Sequence, residues 1–389
     1  MTALGSEPSD RNRVYSQLLV LELGDEATQS AGKFFADMGA TVVKIEPPGG
    51  VDARLHGPFR NNVEDIDSCL YFWANNTSKE SITIDMSDEV GRAKFRELVD
   101  RADVLLEDRP PGVMSSMGLA YEDLAASNPG LVMTSVTPFG GEGPLADWIA
   151  SDMVTMAMGG AMWNLGYDDP TSKPLIPQGD ISFQMAGLWA SIGTLGALMV
   201  KEETGKGQHV DVSLQETTAF LVHCYNTVGY QYQGTVMHRH DYVPTVIAAD
   251  GRRVLPQILN IIPDKWLAFR DDLLERGFGE NLRGMDVPTM QAAPDQVRAA
   301  IQELASTLPA KDLIDIGQGY GMTWAAVNAP EELLANEQLQ SRGFFEDVEH
   351  PELGETYTYG GMAAIWSEGS GSIWHRAPLL GEHNDKWGI

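Results

Sequence analysis

Residues 18 to 46 set the first constraint on the fold. Leu18 to Leu23 (LLVLEL) is a short apolar run that ends at Gly24. Ala27 to Met38 then places Phe34, Phe35 and Met38 at helical spacing, and Gly39 closes the segment. Thr41 to Glu46 (TVVKIE) is the next strand, and Pro47-Pro48 stops it. Strand, helix, strand in that order is a β-α-β unit, which implies a parallel pair. The alternation continues. Ser81 to Asp85, Asp103 to Glu107 and Leu131 to Val136 read as strands. Ser87 reads as the cap of a helix with Val90, Phe95, Leu98 and Val99 on one side. The expected fold class is α/β with a doubly wound, Rossmann-like sheet.

Ser182 to Val200 is the longest helix candidate. It mixes Phe183, Leu188, Trp189, Ile192, Leu195 and Leu198 with small residues, among them Gly187, Gly193 and Gly196. A glycine inside a helix costs about 1 kcal/mol relative to alanine, so three of them point to close backbone packing. Gly205 ends this helix, and Gln208 to Leu214 alternates like a strand. The texture changes after about residue 235. Val246 to Val254 reads as a hairpin around Asp250-Gly251. Helices are expected at Asp264 to Glu275, Pro294 to Leu304, Ala310 to Ile316 and Pro330 to Gln340, with a strand at Met322 to Val327. The expected organisation is a large Rossmann-like domain over residues 1–235 and a smaller α+β domain over 236–343. A C-terminal segment, 344–389, has no strong period of its own.

At 389 residues the chain is too long for one ordinary core, which agrees with two domains. Its 27 basic and 55 acidic residues give a net charge of −28. Such a surface repels nucleic acid and anionic membrane, so neither is an expected partner. No run of about 20 apolar residues and no secretory pattern stands out. The two cysteines, Cys69 and Cys224, suit a reducing, cytoplasmic setting and give no metal-ligand spacing. Nor do His56, His209, His223, His238, His240, His350, His375 and His383, so no metal is expected. No Gly-x-Gly-x-x-Gly follows the first strand. Gly24 is followed by Asp25 and Glu26, which would repel a pyrophosphate.

Several segments, in order, resemble the family III CoA transferases, the group that includes formyl-CoA and carnitine CoA transferases. They begin with Phe35-Ala36-Asp37-Met38-Gly39-Ala40 and Val43-Lys44-Ile45-Glu46-Pro47-Pro48-Gly49-Gly50. Asn76-Thr77-Ser78-Lys79-Glu80 and Ala102-Asp103-Val104-Leu105-Leu106-Glu107 follow, then Pro111-Gly112-Val113-Met114, Asn128-Pro129 and Phe139-Gly140 with Gly143-Pro144. The most telling stretch is Gly179-Asp180 ahead of the long helix, then Thr204-Gly205-Lys206-Gly207-Gln208-His209-Val210-Asp211-Val212-Ser213. Gly381-Glu382-His383-Asn384 matches the family's closing motif. Each segment is short; their order over nearly the whole chain makes the resemblance specific.

The resemblance implies a large Rossmann-like domain and a small domain joined by two linkers, a tail that returns to the large domain, and an interlocked dimer. It implies transfer of CoA from an acyl-CoA donor to a carboxylic acid acceptor, with CoA as substrate and no bound cofactor. By position the covalent aspartate is Asp180. A carboxylate can attack a thioester without metal or redox help, because each step exchanges acyl groups of similar reactivity. The other role open to Asp180 is a plain helix N-cap. Contacts to CoA are expected from Asn76, Lys79, Asp108, Arg109, Met114 and Phe139.

The departures fall on the CoA side. Glu26, Ala27, Thr28 and Gln29 stand where the family has a Gly-Pro pair after a small or amide residue. Asp108 and Arg109 replace an Asn-Phe pair, and Ser116 a basic residue. The racemase branch has a histidine before the aspartate at Ser151-Asp152; its absence removes the second base. Two readings stay open: an active transferase, homodimeric, or a non-catalytic subunit paired with an active homologue, as in the activation of aromatic succinates such as benzylsuccinate. Met153, Met156, Met158, Met162 and Trp163 are either core or the lining of an apolar acyl pocket.

Overall fold

The computed structural model describes residues 13–166, 171–234, 245–257, 262–369 and 371–389. They form two compact units. The first draws on Met1–Gly166, Ser172–Arg239 and Gly343–Ile389; the second on Tyr167–Thr171 and His240–Arg342. Residue 235, His238 and His240 lie outside the described residues.

The first unit holds β1 (Leu19–Leu23), α1 (Glu26–Asp37), β2 (Thr41–Glu46), α2 (Leu70–Asn75), β3 (Glu80–Thr83), α3 (Glu89–Val99) and β4 (Val104–Glu107). Then come α4 (Val113–Ser116), α5 (Tyr121–Ala125), β5 (Val132–Thr137), α6 (Asp152–Met158), α7 (Ala161–Asn164), α8 (Ile181–Thr204), β6 (His209–Ser213) and α9 (Leu214–Gln233). The six strands are all parallel, in the order β3-β2-β1-β4-β5-β6. The α/β class read from the alternation is therefore what the chain adopts. The order reverses between β1 and β4, and ligands of such sheets bind at the carboxyl ends of the strands there.

Successive strand residues serve opposite faces. Val20, Val42, Val104 and Leu106 join Phe35 of α1 and Ala186, Ala190 and Ala197 of α8 in one core. Leu21, Val43, Ile45 and Leu105 join Phe95, Leu98 and Val99 of α3 in the other. Burial on both faces explains runs that are apolar throughout. Asp88, one residue after the expected Ser87, caps α3: its Oδ1 accepts from Gly91 N at 2.6 Å. Val90 is 78% exposed and lies off the apolar face. The glycines of α8 do not share one reason. A Cβ at Gly187 would meet Ser30 Oγ at 1.8 Å, so α1 and α8 touch backbone to backbone there, whereas Gly196 faces open space. By length and hydropathy α8 could cross a membrane, yet its small residues are buried against α1 and the sheet.

The second unit contains β7 (Val246–Ile247), β8 (Arg253–Pro256), α10 (Pro263–Glu275), α11 (Val287–Ala292), α12 (Pro294–Ala305), α13 (Ala310–Gly319), β9 (Trp324–Ala326), α14 (Pro330–Leu333) and α15 (Glu337–Ser341). Its antiparallel sheet, β7-β8-β9, packs around Trp266, Phe269, Ile301 and Trp324. The single helix expected at Pro330 to Gln340 is two short ones. Asn336 breaks it, its side chain accepting from Gln338 N and Leu339 N at 3.1 Å to start α15.

The C-terminal segment is more ordered than its sequence suggests. β10 (Phe345–His350) and β11 (Glu355–Gly360) pair antiparallel, and α16 (Asn384–Trp387) follows. The segment seals the free edge of β3. Thr83 N donates to Asn384 Oδ1 (2.8 Å), Gly381 N to Ser81 Oγ (3.0 Å) and His383 N to Ser81 O (2.9 Å). Arg54, wholly buried, holds Glu46 with two bonds and donates to Pro378 O at 3.1 Å. His383 accepts from Ser81 N through Nδ1 at 3.3 Å, a structural bond.

Candidate active site at the carboxyl edge of the sheet

Asp180 stands at the head of α8 with φ 52 and ψ 52, directly after Gly179 at φ +98. A left-handed backbone is costly for a residue with a Cβ, of order 1–3 kcal/mol, and such strain gathers at functional positions. Its side chain makes no cap hydrogen bond. Asp152, the first residue of α6, caps α8 instead: its Oδ1 accepts from Ser182 N at 2.8 Å and Ser182 Oγ at 2.7 Å. Thr155 Oγ1 adds a bond to Ser182 Oγ at 2.8 Å. The Asp180 carboxylate is thereby left free beside the Tyr71 hydroxyl of α2, whose pKa it helps burial to raise.

A buried polar chain stands behind that hydroxyl. Tyr71 Oη accepts from Gln29 Nε2 (2.8 Å), Gln29 Oε1 from Asn76 Nδ2 (3.2 Å), and Asn76 Oδ1 from Lys79 Nζ (2.8 Å). Lys79 pairs with Glu22 at 2.7 Å, and Glu22 pairs with Lys44 at 2.7 Å. Glu22, Gln29, Lys44, Asn76 and Lys79 are all fully buried. Burial alone would raise the Glu22 carboxyl; the two ammonium groups hold it below the ordinary range. Burial also drives the Tyr71 hydroxyl up, helped by Asp180 and Glu26.

Around Asp180 the edge is acidic. Asp25 accepts from Asp52 N (2.9 Å) and Ala53 N (3.0 Å), and Asp108 accepts from Asp25 N (2.7 Å). Glu26 Oε1 lies 2.7 Å from His56 Nδ1, and the His56 ring stacks on Tyr71 at 5.8 Å. Burial, then Asp25, Asp180, Asp108 and Asp52, push Glu26 up to about 7. Burial moves Asp108 to about 6 and Glu107 to about 7.

Beyond β4 a cleft of about 190 Å³ opens between the strand ends and the turns before α4 and α5. Arg109, Met114, Pro111 and Tyr121 form part of its wall, and Glu107, Ser135 and Thr137 part of its polar side. Ser135 Oγ lies 2.8 Å from His209 Nε2, and His209 stacks on Tyr121 at 5.8 Å. The Thr137 hydroxyl is buried with no hydrogen-bond partner, a donor and acceptor at the wall of the cleft.

The structure separates the expected residues into groups. Arg109 and Met114 share the cleft. Asp108 belongs to the acidic edge beside Asp25. Asn76 and Lys79 spend their polar atoms inside the protein, so Lys79 is not a solvated surface lysine. Phe139 packs edge-on against Trp148 at 6.3 Å. Of the methionine run, Met156 is core, whereas Met153 and Met158 are exposed, as is Trp163. Tyr71, His56 and the capping role of Asp152 are additions that spacing does not reveal, since each acts on a partner from a distant segment.

Glu107 gives a test of this electrostatic picture. Its carboxyl titrates higher folded than unfolded, so the folded state binds the extra proton between about pH 4.5 and 7. Its contribution is fully present below the unfolded value and is lost as pH rises through about 7. Glu107→Gln removes that loss. The melting temperature of the variant relative to wild type should climb from pH 5 to pH 7, by the equivalent of about 3 kcal/mol at most. A constant offset by calorimetry would show that Glu107 is an ordinary carboxylate.

Comparison with known proteins agrees with this fold. The family model described as CoA-transferase family III matches residues 15–384. The chain is 30% identical to the succinyl-CoA:(R)-benzylsuccinate CoA-transferase subunit BbsE of Thauera aromatica, over 95% of this chain and 92% of that protein. It is 33% identical to the acetyl-CoA:oxalate CoA-transferase of Acetobacter aceti, over 86% and 88%. A crystal structure of a CAIB/BAIF family protein from Brucella suis superposes with TM-score 0.80 at 26% identity, covering 95% and 97%. The family match and these relatives, which span most of the chain, identify a CoA-transferase enzyme. The chain belongs to CoA-transferase family III.

Proposed function

We propose that this chain moves CoA from an acyl-CoA thioester to a carboxylic acid through covalent intermediates on Asp180. The observation that carries the reading is the division of labour at α8: Asp152 caps the helix, and the strained Asp180 keeps its carboxylate unspent. Asp180 attacks the thioester carbonyl, the C–S bond breaks, and CoA leaves as thiolate from a mixed anhydride. The thiolate attacks the aspartyl carbonyl and releases the donor acid, leaving an aspartyl-CoA thioester. The acceptor carboxylate then attacks this thioester, and the thiolate recaptures the new acyl group. Asp180 is regenerated with no net proton change. The Tyr71 hydroxyl orients the carboxylate. The names of the relatives point to dicarboxylic or aromatic dicarboxylic acids as acceptors.

The cleft holding Arg109 and Met114 is the proposed seat of the nucleotide end of CoA. Glu107 and Asp108, pushed toward neutrality by burial, weaken the repulsion that the local charge count implies. Asn76 and Lys79 support Gln29 and Tyr71 from behind. Phe139 borders the same strand ends. A reducing, cytoplasmic setting fits the free buried Cys69.

The proposed assembly is an interlocked dimer. Leu188, Ile192 and Met199 of α8 and Phe220 of α9 are half or more exposed, an apolar face that a second subunit would cover. Light scattering should give twice the 42.4 kDa chain mass. A stable monomer would overturn it. A second reading, a scaffold subunit beside an active homologue, is favoured by the relative named as a subunit. Incubation with succinyl-CoA and hydroxylamine separates them by mass spectrometry. A hydroxamate on Asp180 of this chain supports catalysis here; modification of a companion chain alone makes this one the scaffold.

A further inference from the structure

We infer that Glu26, backed by His56, is the hydrogen-bond donor that admits the acceptor carboxylate to Asp180. This rests on the reading of Asp180 as the acyl carrier. The incoming acid is an anion, and the described groups it meets are mostly anions too. Asp25 comes from the turn after β1, Asp52 from the segment after β2, Asp108 from the end of β4 and Asp180 from the head of α8. Arg109 lies in the cleft beyond β4. Such an edge would reject a carboxylate unless one of its own groups presented a proton.

Glu26 is the group placed to do so. It opens α1, is half-buried, and its carboxyl feels the charges of the other four. His56 Nδ1 sits 2.7 Å from Oε1 and fixes the carboxyl. The His56 ring stacks on Tyr71 at 5.8 Å, and the Tyr71 hydroxyl feels the charge of Asp180, so the donor is braced by a ring beside the acyl carrier. The placement of Glu26 at about 7 is set by burial first and by the neighbouring carboxylates next. When Asp180 is an aspartyl-CoA thioester it has lost its charge. The proton on Glu26 can then bond the acceptor carboxylate in its place. Above neutrality Glu26 ionises, and one more negative charge faces the incoming acid. The pair therefore tunes acceptor entry rather than the covalent steps.

The test is the pH dependence of acceptor KM, measured with succinyl-CoA or acetyl-CoA as donor and oxalate, succinate or benzylsuccinate as acceptor. In wild type KM should rise about tenfold per pH unit once pH passes about 7, with kcat changing far less. Glu26→Gln keeps a donor at every pH and should flatten that limb. Glu26→Asp should restore a limb. His56→Ala should shift it, because the carboxyl loses its partner. Difference infrared spectroscopy supplies a readout free of turnover: wild type at pH 6 should show protonated-carboxyl carbonyl absorption that titrates near 7 and is reduced by one group in Glu26→Gln, where Glu107 still contributes. A limb that persists in Glu26→Gln, or a band unchanged by it, would overturn the inference. Hydroxylamine trapping at Asp180 is scored on the same samples. If trapping succeeds and the limb persists, only the role of Glu26 fails; if trapping fails in wild type, the acyl-carrier reading fails.

Discussion

Asp180→Asn should abolish CoA transfer, with a loss of about 10⁴-fold or more, while the chain folds as wild type. Removing a covalent nucleophile eliminates the whole route, and losses of that size are typical. The amide matches the carboxylate in size and can hydrogen-bond the Tyr71 hydroxyl, but it attacks poorly and cannot form an anhydride. Folding should be spared because Asp152, not Asp180, satisfies the start of α8. The contrast is Asp152→Ala, which should cost about 1 kcal/mol of stability, as lost helix caps do. Rates would be measured under saturating donor and acceptor, and folding by calorimetry. Full activity of Asp180→Asn in the assembled enzyme would assign catalysis elsewhere.

Glu22→Ala should be among the most destabilising single changes in the first unit, by about 3–5 kcal/mol. Lys44 and Lys79, the latter already lowered by burial to about 7, share this one carboxylate, and all three side chains have no exposure to water. Without Glu22 they are left charged in a low-dielectric interior or must shed a proton. The expected loss is a large share of the 5–15 kcal/mol that holds a typical domain together. Calorimetry or denaturant titration would read it. A midpoint unchanged from wild type would mean that water or Gln29 O already stabilises Lys79 without its partner. Because Lys79 also supports Asn76, and through it Gln29 and Tyr71, a folded remnant should lose activity as well.

The architecture was legible where local pattern decides structure. The strand–helix alternation and the apolar spacing of α1 gave the α/β class. Gly179-Asp180 marked the proposed carrier position by resemblance. What stayed hidden depends on distant partners. Glu22 interrupts LLVLEL as a lone charge, and only the sheet register that sets Glu22 opposite Lys44 reveals its purpose. Gly32 looks like a weak point in a helix, yet a Cβ there would sit 1.8 Å from Glu22 Oε2. Asp152 acts across 30 residues on Ser182. The hairpin β10–β11 escaped because its exposed polar positions, among them Asp347, Glu349 and Glu355, mask strand periodicity. The break at Asn336 escaped because a capping side chain can restart a helix within an otherwise continuous pattern.

The bond from Thr83 to Asn384 spans 301 residues, and that separation has a consequence for how the protein is made. At about 5–20 residues per second, β3 leaves the ribosome roughly 15–60 s before its covering segment exists. Throughout that interval the nascent sheet offers unpaired strand groups to any neighbouring chain. Folding helpers are needed most during this wait, and synthesis of residues 381–384 ends it.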